Sequence, residues 1–298
     1  MTVHFIGAGP GARDLLTVRA QRLIATCPVC MYAGALVPKE VLADAAPNAK
    51  LIDTSTLTLD EIVEEIVAAH QRHEDVARLH SGDLSIFSAV GEQMRRLDAL
   101  GIPWDVTPGV PAFAAAAAAL RRELTLPGIA QTVILTRHAS SATPMPAGEE
   151  LEALAAHRCT LVLHLAVQAI EELAEVLLPH YGGDCPVAVV AKASWPDELL
   201  LRGTLATIVP AVAEAGVRRT AVIIVGPALR FEGFCDSHLY SPQRQRGEAP
   251  KPHRADTEPE GAEVGPEHGE VRPRRAEAGH QRPQSRPGRA PNAGRGPR

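Results

Sequence analysis

The sequence predicts an α/β protein: two α/β domains with a ligand cleft between them, followed by a disordered tail. Three observations carry this. Short apolar runs fit for buried strands alternate with amphipathic helical stretches from Val3 to Val225. At 298 residues the chain has the length of about two domains, and with 45% hydrophobic but only 3% aromatic residues its core is rich in Ala, Val and Leu. The composition then breaks near Ser241. Residues 242–298 hold ten Pro and eight Gly among 57 positions, and beyond Ala their only aliphatic residues are Val264 and Val271. Such a segment cannot bury enough apolar surface to offset its ordering entropy. The predicted bounds are 1–112 for an N-terminal α/β domain, 113–240 for a C-terminal α/β domain and 241–298 for the Pro/Gly/Arg-rich tail.

The elements follow in order. Val3–Ile6 is the first strand, and Gly7-Ala8-Gly9-Pro10-Gly11 breaks it. A helix is predicted over Leu15–Thr26, then strands at Val29–Tyr32 and Lys50–Ile52. Thr58-Leu59-Asp60-Glu61 has the capping-box spacing, with Ile62, Val63, Ile66 and Val67 as the apolar stripe behind it. Val76–Leu79 is a buried strand, and Ser81-Gly82 breaks it, with Asp83 or Ser85 able to cap the helix that runs on through Met94, Leu97 and Leu100 to Gly101. After Trp104–Val106 comes Pro108-Gly109-Val110-Pro111 and an Ala-rich helix, Ala112–Leu120, slim enough for close packing. Beyond Pro127-Gly128, strands fit Thr132–Thr136, Thr160–Leu165, Val187–Ala191, Glu198–Leu201 and Ala221–Val225. Helices fit Glu149–Ala156, Gln168–Leu178 and Leu205–Ala215, and the short turns around Arg202-Gly203-Thr204 suggest some antiparallel pairing.

Charge and cysteines exclude several classes. The tail carries 12 Lys/Arg against 8 Asp/Glu, and the rest of the chain 18 against 27. An acidic body and a tail without interleaved aromatics argue against nucleic acid as a partner. No apolar run reaches the ~18 residues of a membrane span, and the first residues lack a basic leader, so a cytoplasmic protein without a membrane partner is expected. Cys27-Pro-Val-Cys30 has C-x-x-C spacing, but it lies between a helix and a strand instead of opening a helix, which is where a reactive thiolate is made. No second Cys pair stands at zinc-site spacing, and no metal is expected.

Two loops carry the chemistry. Gly7, Gly9 and Ala12 fit G-x-G-x-x-A, yet Pro10 lacks an amide, Asp14 adds a negative charge, and the strand Val29–Tyr32 ends without an acid for a ribose hydroxyl. The loop therefore suits close backbone approach better than NAD. Ser81-Gly82-Asp83 sits at the carboxyl end of its strand, where open α/β sheets bind ligands.

These stretches resemble the tetrapyrrole C-methyltransferases of cobalamin biosynthesis. The resemblance rests on Val3–Gly11 with Asp14-Leu15-Leu16-Thr17, then Arg78–Gln93, Pro108–Phe113, Glu123–Pro127, Gln131–Arg137, Ser194–Glu198 and Gly203-Thr204-Leu205, and it spans about residues 3–230. The family usually has Gly-Asp-Pro where this chain has Gly82-Asp83-Leu84, and Tyr is also common where Phe87 stands. The resemblance implies a bilobed homodimer using S-adenosylmethionine as co-substrate, with the donor against Pro10, Gly82, Asp83, Ile86, Ala112, Leu165, Ala193 and Ala221. It implies precorrin-4 as acceptor, methylated at C11 to give precorrin-5. Arg13, Arg121, Arg122 and Arg137, with His80 and His138, are the candidates to meet its carboxylates. The alternatives are cobalt-precorrin-4 or uroporphyrinogen-III as acceptor, or, from another class, a nucleotide-binding or redox protein built on the GxGxG loop and the C-x-x-C pair. No catalytic base is identified by the sequence.

Overall fold

The structure is a computed structural model that describes residues 1–139, 144–230 and 232–237. The expected tail, 241–298, lies outside the described residues. Both sheets described below belong to one compact unit, Met1–Arg244.

The first half contains strands β1 (Val3–Gly7), β2 (Val29–Tyr32), β3 (Lys50–Asp53), β4 (Val76–His80) and β5 (Trp104–Thr107). They form a sheet of order β3-β2-β4-β1-β5 whose pairings are all parallel. The connecting helices are α1 (Val18–Thr26), α2 (Lys39–Leu42), α3 (Leu59–Gln71) and α4 (Gly91–Leu100). Alternation along the strands supplies both faces. Val3, Phe5, Val29 and Met31 pack under Ile62, Ile66 and Leu97, while Ile6, Cys30, Ala77 and Leu79 pack against Ala20 and Ile24. Each fully buried large side chain contributes roughly 1.5–3 kcal/mol of transfer free energy.

The helices start where their caps allow. α1 begins at Val18, three residues later than the sequence predicts, because Thr17 accepts the Ala20 N–H at 3.1 Å and Arg13–Leu15 is a separate 3-10 turn. The capping box of α3 is present, with Thr58 and Glu61 exchanging hydrogen bonds. The short α2 has too few residues to show a period and is not predicted. The largest difference lies after β4. The helix starts at Gly91, and residues 81–90 are a loop, because Asp83 spends its carboxylate elsewhere.

The second half contains β6 (Val133–Arg137), β7 (Thr160–His164), β8 (Pro186–Ala191), β9 (Leu199–Thr204) and β10 (Ala221–Val225), in the order β6-β7-β10-β8-β9. β6 and β7 are parallel, whereas β10 is antiparallel to both β7 and β8, and β9 is antiparallel to β8. Helices α7 (Ile170–Tyr181) and α8 (Ile208–Glu214) bury one face of this sheet, and α6 (Leu151–Ala155) joins them. The Ala-rich α5 (Ala112–Leu120) covers the other through Ala115, Ala116 and Leu120 against Val162, Val190, Val222 and Ile224.

Three loops meet at backbone distance. β1 and β4 are neighbours whose connections leave in opposite directions, which opens a crevice at their carboxyl ends. Across it Gly9 and Gly82 exchange two hydrogen bonds, at 3.1 and 2.7 Å. Gly109, in the loop after β5, lies against Gly82 and Gly7: a methyl group there would overlap the Gly82 carbonyl oxygen and stand 2.8 Å from the Gly7 backbone. Gly109→Ala is therefore expected to destabilise the protein by about 1–3 kcal/mol in urea unfolding, the range for overpacking. Gly91→Ala, with open space around the new methyl, should not lower stability.

Candidate active site

The crevice continues into a cavity of about 540 Å3 lined by residues of both halves. From the first half come Pro10, Gly82, Asp83, Ile86, Phe87, Pro111 and Ala112. The second half contributes by its strand polarity. β6, β7 and β8 leave the sheet at one edge, and antiparallel β10 enters there, so His138, Leu165, Ala193 and Ala221 converge. All eight positions named above for the donor line this one cavity.

Asp83 holds the first wall. Its Oδ2 accepts the Gly109 N–H at 2.8 Å, and its Oδ1 accepts the Ser85 N–H at 2.9 Å and the Ser85 hydroxyl. Burial raises its pKa, but these hydrogen bonds and the Leu84 N–H outweigh burial and leave it below the usual carboxylate value. Asp83 thus stays ionised and closes a loop, and it does not cap a helix. The following residues are pinned from beneath. His80 donates from Nδ1 to the Ser88 carbonyl at 3.1 Å, Gln93 donates to the Ala89 carbonyl at 3.3 Å, and buried Arg78 donates to Gln93 at 3.1 Å.

Trp195 and Ser194 tie the second wall to the first. The Trp195 indole donates to the Pro10 carbonyl at 2.8 Å, and Ser194 Oγ accepts the Ala12 N–H at 3.0 Å. The backbone around the cavity is strained. Phe87, Leu165 and Thr220, all lining it, have φ of 51°, 53° and 53°. Positive φ is rare for non-glycine residues, is a genuine outlier for a β-branched one, and clusters at functional sites. Leu165 is also 74% exposed, a large apolar side chain left open to the cavity. His164, stacked obliquely on Phe87 at 5.4 Å, has a buried Nε2 with no hydrogen-bond partner among the described residues, and burial keeps it neutral by lowering its pKa. The lining is small, largely apolar and rich in backbone. It suits a folded organic ligand held by packing and main-chain contacts.

The positions named for substrate carboxylates fall elsewhere, His138 excepted. His138 lines the cavity, with Nε2 3.6 Å from Glu172. Arg13 pairs with Asp44 beside a second cavity of about 830 Å3, lined also by Gly11, Asp14, Trp195 and Pro196. Arg121 ends α5 in the left-handed conformation, Arg122 donates to the Leu229 carbonyl at 3.0 Å, and Arg137 donates to the carbonyls of His138 and Pro144, each at 3.1 Å. None of these three lines either cavity. The expectation for His80 is corrected by burial. It is 8% exposed, and burial and then Arg78 push its pKa down to about 3, so it is neutral and cannot meet a carboxylate as a cation. Arg218 and Arg219 line the cavity and were not singled out from the sequence. Their signal, two adjacent arginines before a strand, acquires meaning only once β10 is known to run antiparallel.

The geometry also bears on the other readings. The N–H groups of Ala8, Gly9 and Ala12 are spent on the His80 and Gly82 carbonyls and on Ser194, so these three amides of the G-x-G-x-x-A loop are not available to a pyrophosphate. Cys27 and Cys30 are buried, and desolvation pushes both thiols up to about 12, opposite to a redox-active pair.

Comparison with known proteins identifies the family. Residues 2–209 match the Tetrapyrrole (Corrin/Porphyrin) Methylases. The chain belongs to this family. A precorrin-4 C(11)-methyltransferase from Rhodococcus erythropolis is 59% identical over 246 residues, which cover 83% of this chain and 99% of that one. A cobalt-precorrin-4 C(11)-methyltransferase from Methanocaldococcus jannaschii is 41% identical, over 80% of this chain and 92% of its own. Among solved structures, a cobalt precorrin-4 methyltransferase superposes with a TM-score of 0.74 at 38% identity, covering 76% of this chain and 95% of that one. The Thermus thermophilus uroporphyrin-III C-methyl transferase complexed with S-adenosylhomocysteine superposes at 0.63 with 30% identity, over 78% and 100%.

The two depressed histidines set a pH dependence of stability. His80 has a folded pKa of about 3, below its ordinary value near 6.5, and His164 is shifted in the same direction. As pH falls below ~6.5 the unfolded chain takes up protons that the native state refuses, so stability rises with pH in this window and is lost on acidification. The melting temperature should fall from pH 7 to pH 5, and His80→Asn should make that fall shallower. A wild-type melting temperature independent of pH over this range would contradict the burial of these rings.

Proposed function

We propose that this protein transfers a methyl group from S-adenosylmethionine to C11 of precorrin-4, giving precorrin-5 in the assembly of the corrin ring. One observation carries the reading. The eight positions that the family resemblance gives to the donor, scattered from Pro10 to Ala221, line one cavity at the meeting of both sheets. The identity of 59% to a precorrin-4 enzyme, against 41% to a cobalt-precorrin-4 enzyme, favours the metal-free acceptor.

When bound, the donor supplies a sulfonium methyl that is already activated towards a carbon nucleophile. The protein's task is then to position the reactants and keep water away. Gly82, held by Gly9, gives a bare backbone surface, and Asp83 fixes the loop that carries Ile86 and Phe87 over the cavity. Leu165, Ala193 and Ala221 form the opposite wall, where any larger side chain at the two alanines would compete for the same volume. Alignment of two bound reactants is worth up to about 7–11 kcal/mol. As an assembly we propose a homodimer, on the family resemblance alone.

The test is product mass after incubation with S-adenosylmethionine and precorrin-4, run in parallel with cobalt-precorrin-4 and uroporphyrinogen-III. The expected result is one added methyl on precorrin-4, with the position fixed at C11 by NMR. Methylation only of one of the other two acceptors would overturn the assignment.

A further inference from the structure

The proposed acceptor is a polycarboxylate, and the arginines first expected to meet it are largely engaged away from the cavity. Among the described residues, the ionisable groups lining the cavity are Asp83, His138, His164, Arg218 and Arg219. Asp83 is saturated by Gly109 and Ser85, His164 is held neutral by burial, and His138 faces Glu172. Arg218 and Arg219 differ. Both are exposed, and among the described residues neither guanidinium has a hydrogen bond or ion pair.

Their backbone is fixed even though their side chains are not. Val217, just before them, packs on the core of the second sheet. Thr220, just after them, is held at positive φ, and its carbonyl accepts the Lys192 N–H at 2.7 Å. The segment is therefore anchored at both ends, and it holds two guanidinium groups at the rim. Residues 1–241 carry 18 Lys/Arg against 27 Asp/Glu, so an anionic ligand is repelled by the body at large. A local cationic pair at the entrance reverses that sign where it matters, and guanidinium forks match carboxylates in shape as well as charge.

We propose that Arg218 and Arg219 recognise the side-chain carboxylates of the tetrapyrrole acceptor at the mouth of the cavity. The inference rests on the function proposed above and identifies which residues of that site set acceptor specificity. The test uses Arg218→Gln, Arg219→Gln and the double variant, whose exposed positions leave the fold intact by circular dichroism. Three quantities are measured: S-adenosylhomocysteine affinity by calorimetry, affinity for uroporphyrin, a stable macrocyclic octacarboxylate, by fluorescence, and the KM for precorrin-4. In the double variant the inference predicts acceptor KM and uroporphyrin Kd raised about tenfold or more, the loss expected for removing charge-assisted hydrogen bonds. It predicts S-adenosylhomocysteine affinity within twofold of wild type and a weaker salt dependence of uroporphyrin binding. Unchanged KM and uroporphyrin Kd would overturn it. A loss of S-adenosylhomocysteine affinity with 5′-methylthioadenosine binding untouched would also overturn it, by assigning the pair to the donor's carboxylate. Arginine-dependent uroporphyrin binding in a protein that fails to methylate precorrin-4 would support the pair's role and refute only the proposed reaction.

Discussion

The structure depends on one close approach of backbone to backbone. Gly9 and Gly82 are paired across the crevice between β1 and β4, and Gly109 rests on Gly82 and Gly7 with no room for a methyl group. Because Gly7 and Gly109 lack side chains, and Gly9 and Gly82 take φ of 72° and 68°, three strand-end loops can share one small volume. Asp83 then locks the arrangement by bridging the Gly109 amide to the Ser85 turn. Its ionised state is maintained by the hydrogen bonds that it accepts, so the lock and the charge support each other. The glycine contact fixes the start of the loop carrying Ile86 and Phe87, and His80 and Gln93 fix its end.

The second sheet completes the site through strand direction. An all-parallel sheet would have sent the start of β10 to the far edge. Antiparallel β10 instead places Thr220 and Ala221 beside the ends of β7 and β8, with Arg218 and Arg219 just ahead of them. The same arrangement concentrates strain. Leu165 and Thr220 hold left-handed backbone conformations, which cost of order 1–3 kcal/mol each when the surroundings do not compensate. The sheet core behind them is built from fully buried residues such as Leu161, Leu163 and Ile224, which lets the rim be strained while the scaffold stays rigid.

The strands were legible in the sequence because short, mostly apolar runs between turn residues leave little choice, most clearly in the β-branched run of Ala221–Val225. Helix starts were less so. Thr17 and Asp83 are both residues that favour caps, and only tertiary partners decide between them: Thr17 caps α1, whereas Asp83 is drawn to Gly109. The positions that the family resemblance implies for the donor lie mostly in short motifs near strand ends, and the fold brings them to one cavity. The positions expected to meet substrate carboxylates, His138 excepted, do not reach that cavity. Arg13 and Arg122 bond groups distant in the chain, Asp44 and the Leu229 carbonyl, Arg137 bonds neighbouring carbonyls, and His80 is buried, none of which a local pattern reveals. Arg218 and Arg219 gain their place only from the strand order of the second sheet.

The most direct measurement is a crystal structure of the chain with S-adenosylhomocysteine. The glycine contact and the converging strand ends predict the ligand in the cavity of about 540 Å3, touching the Gly82 backbone on one side and Leu165 and Ala193 on the other. A ligand bound instead in the cavity of about 830 Å3 beside Arg13 and Trp195, with the Gly82 loop untouched, would contradict the account.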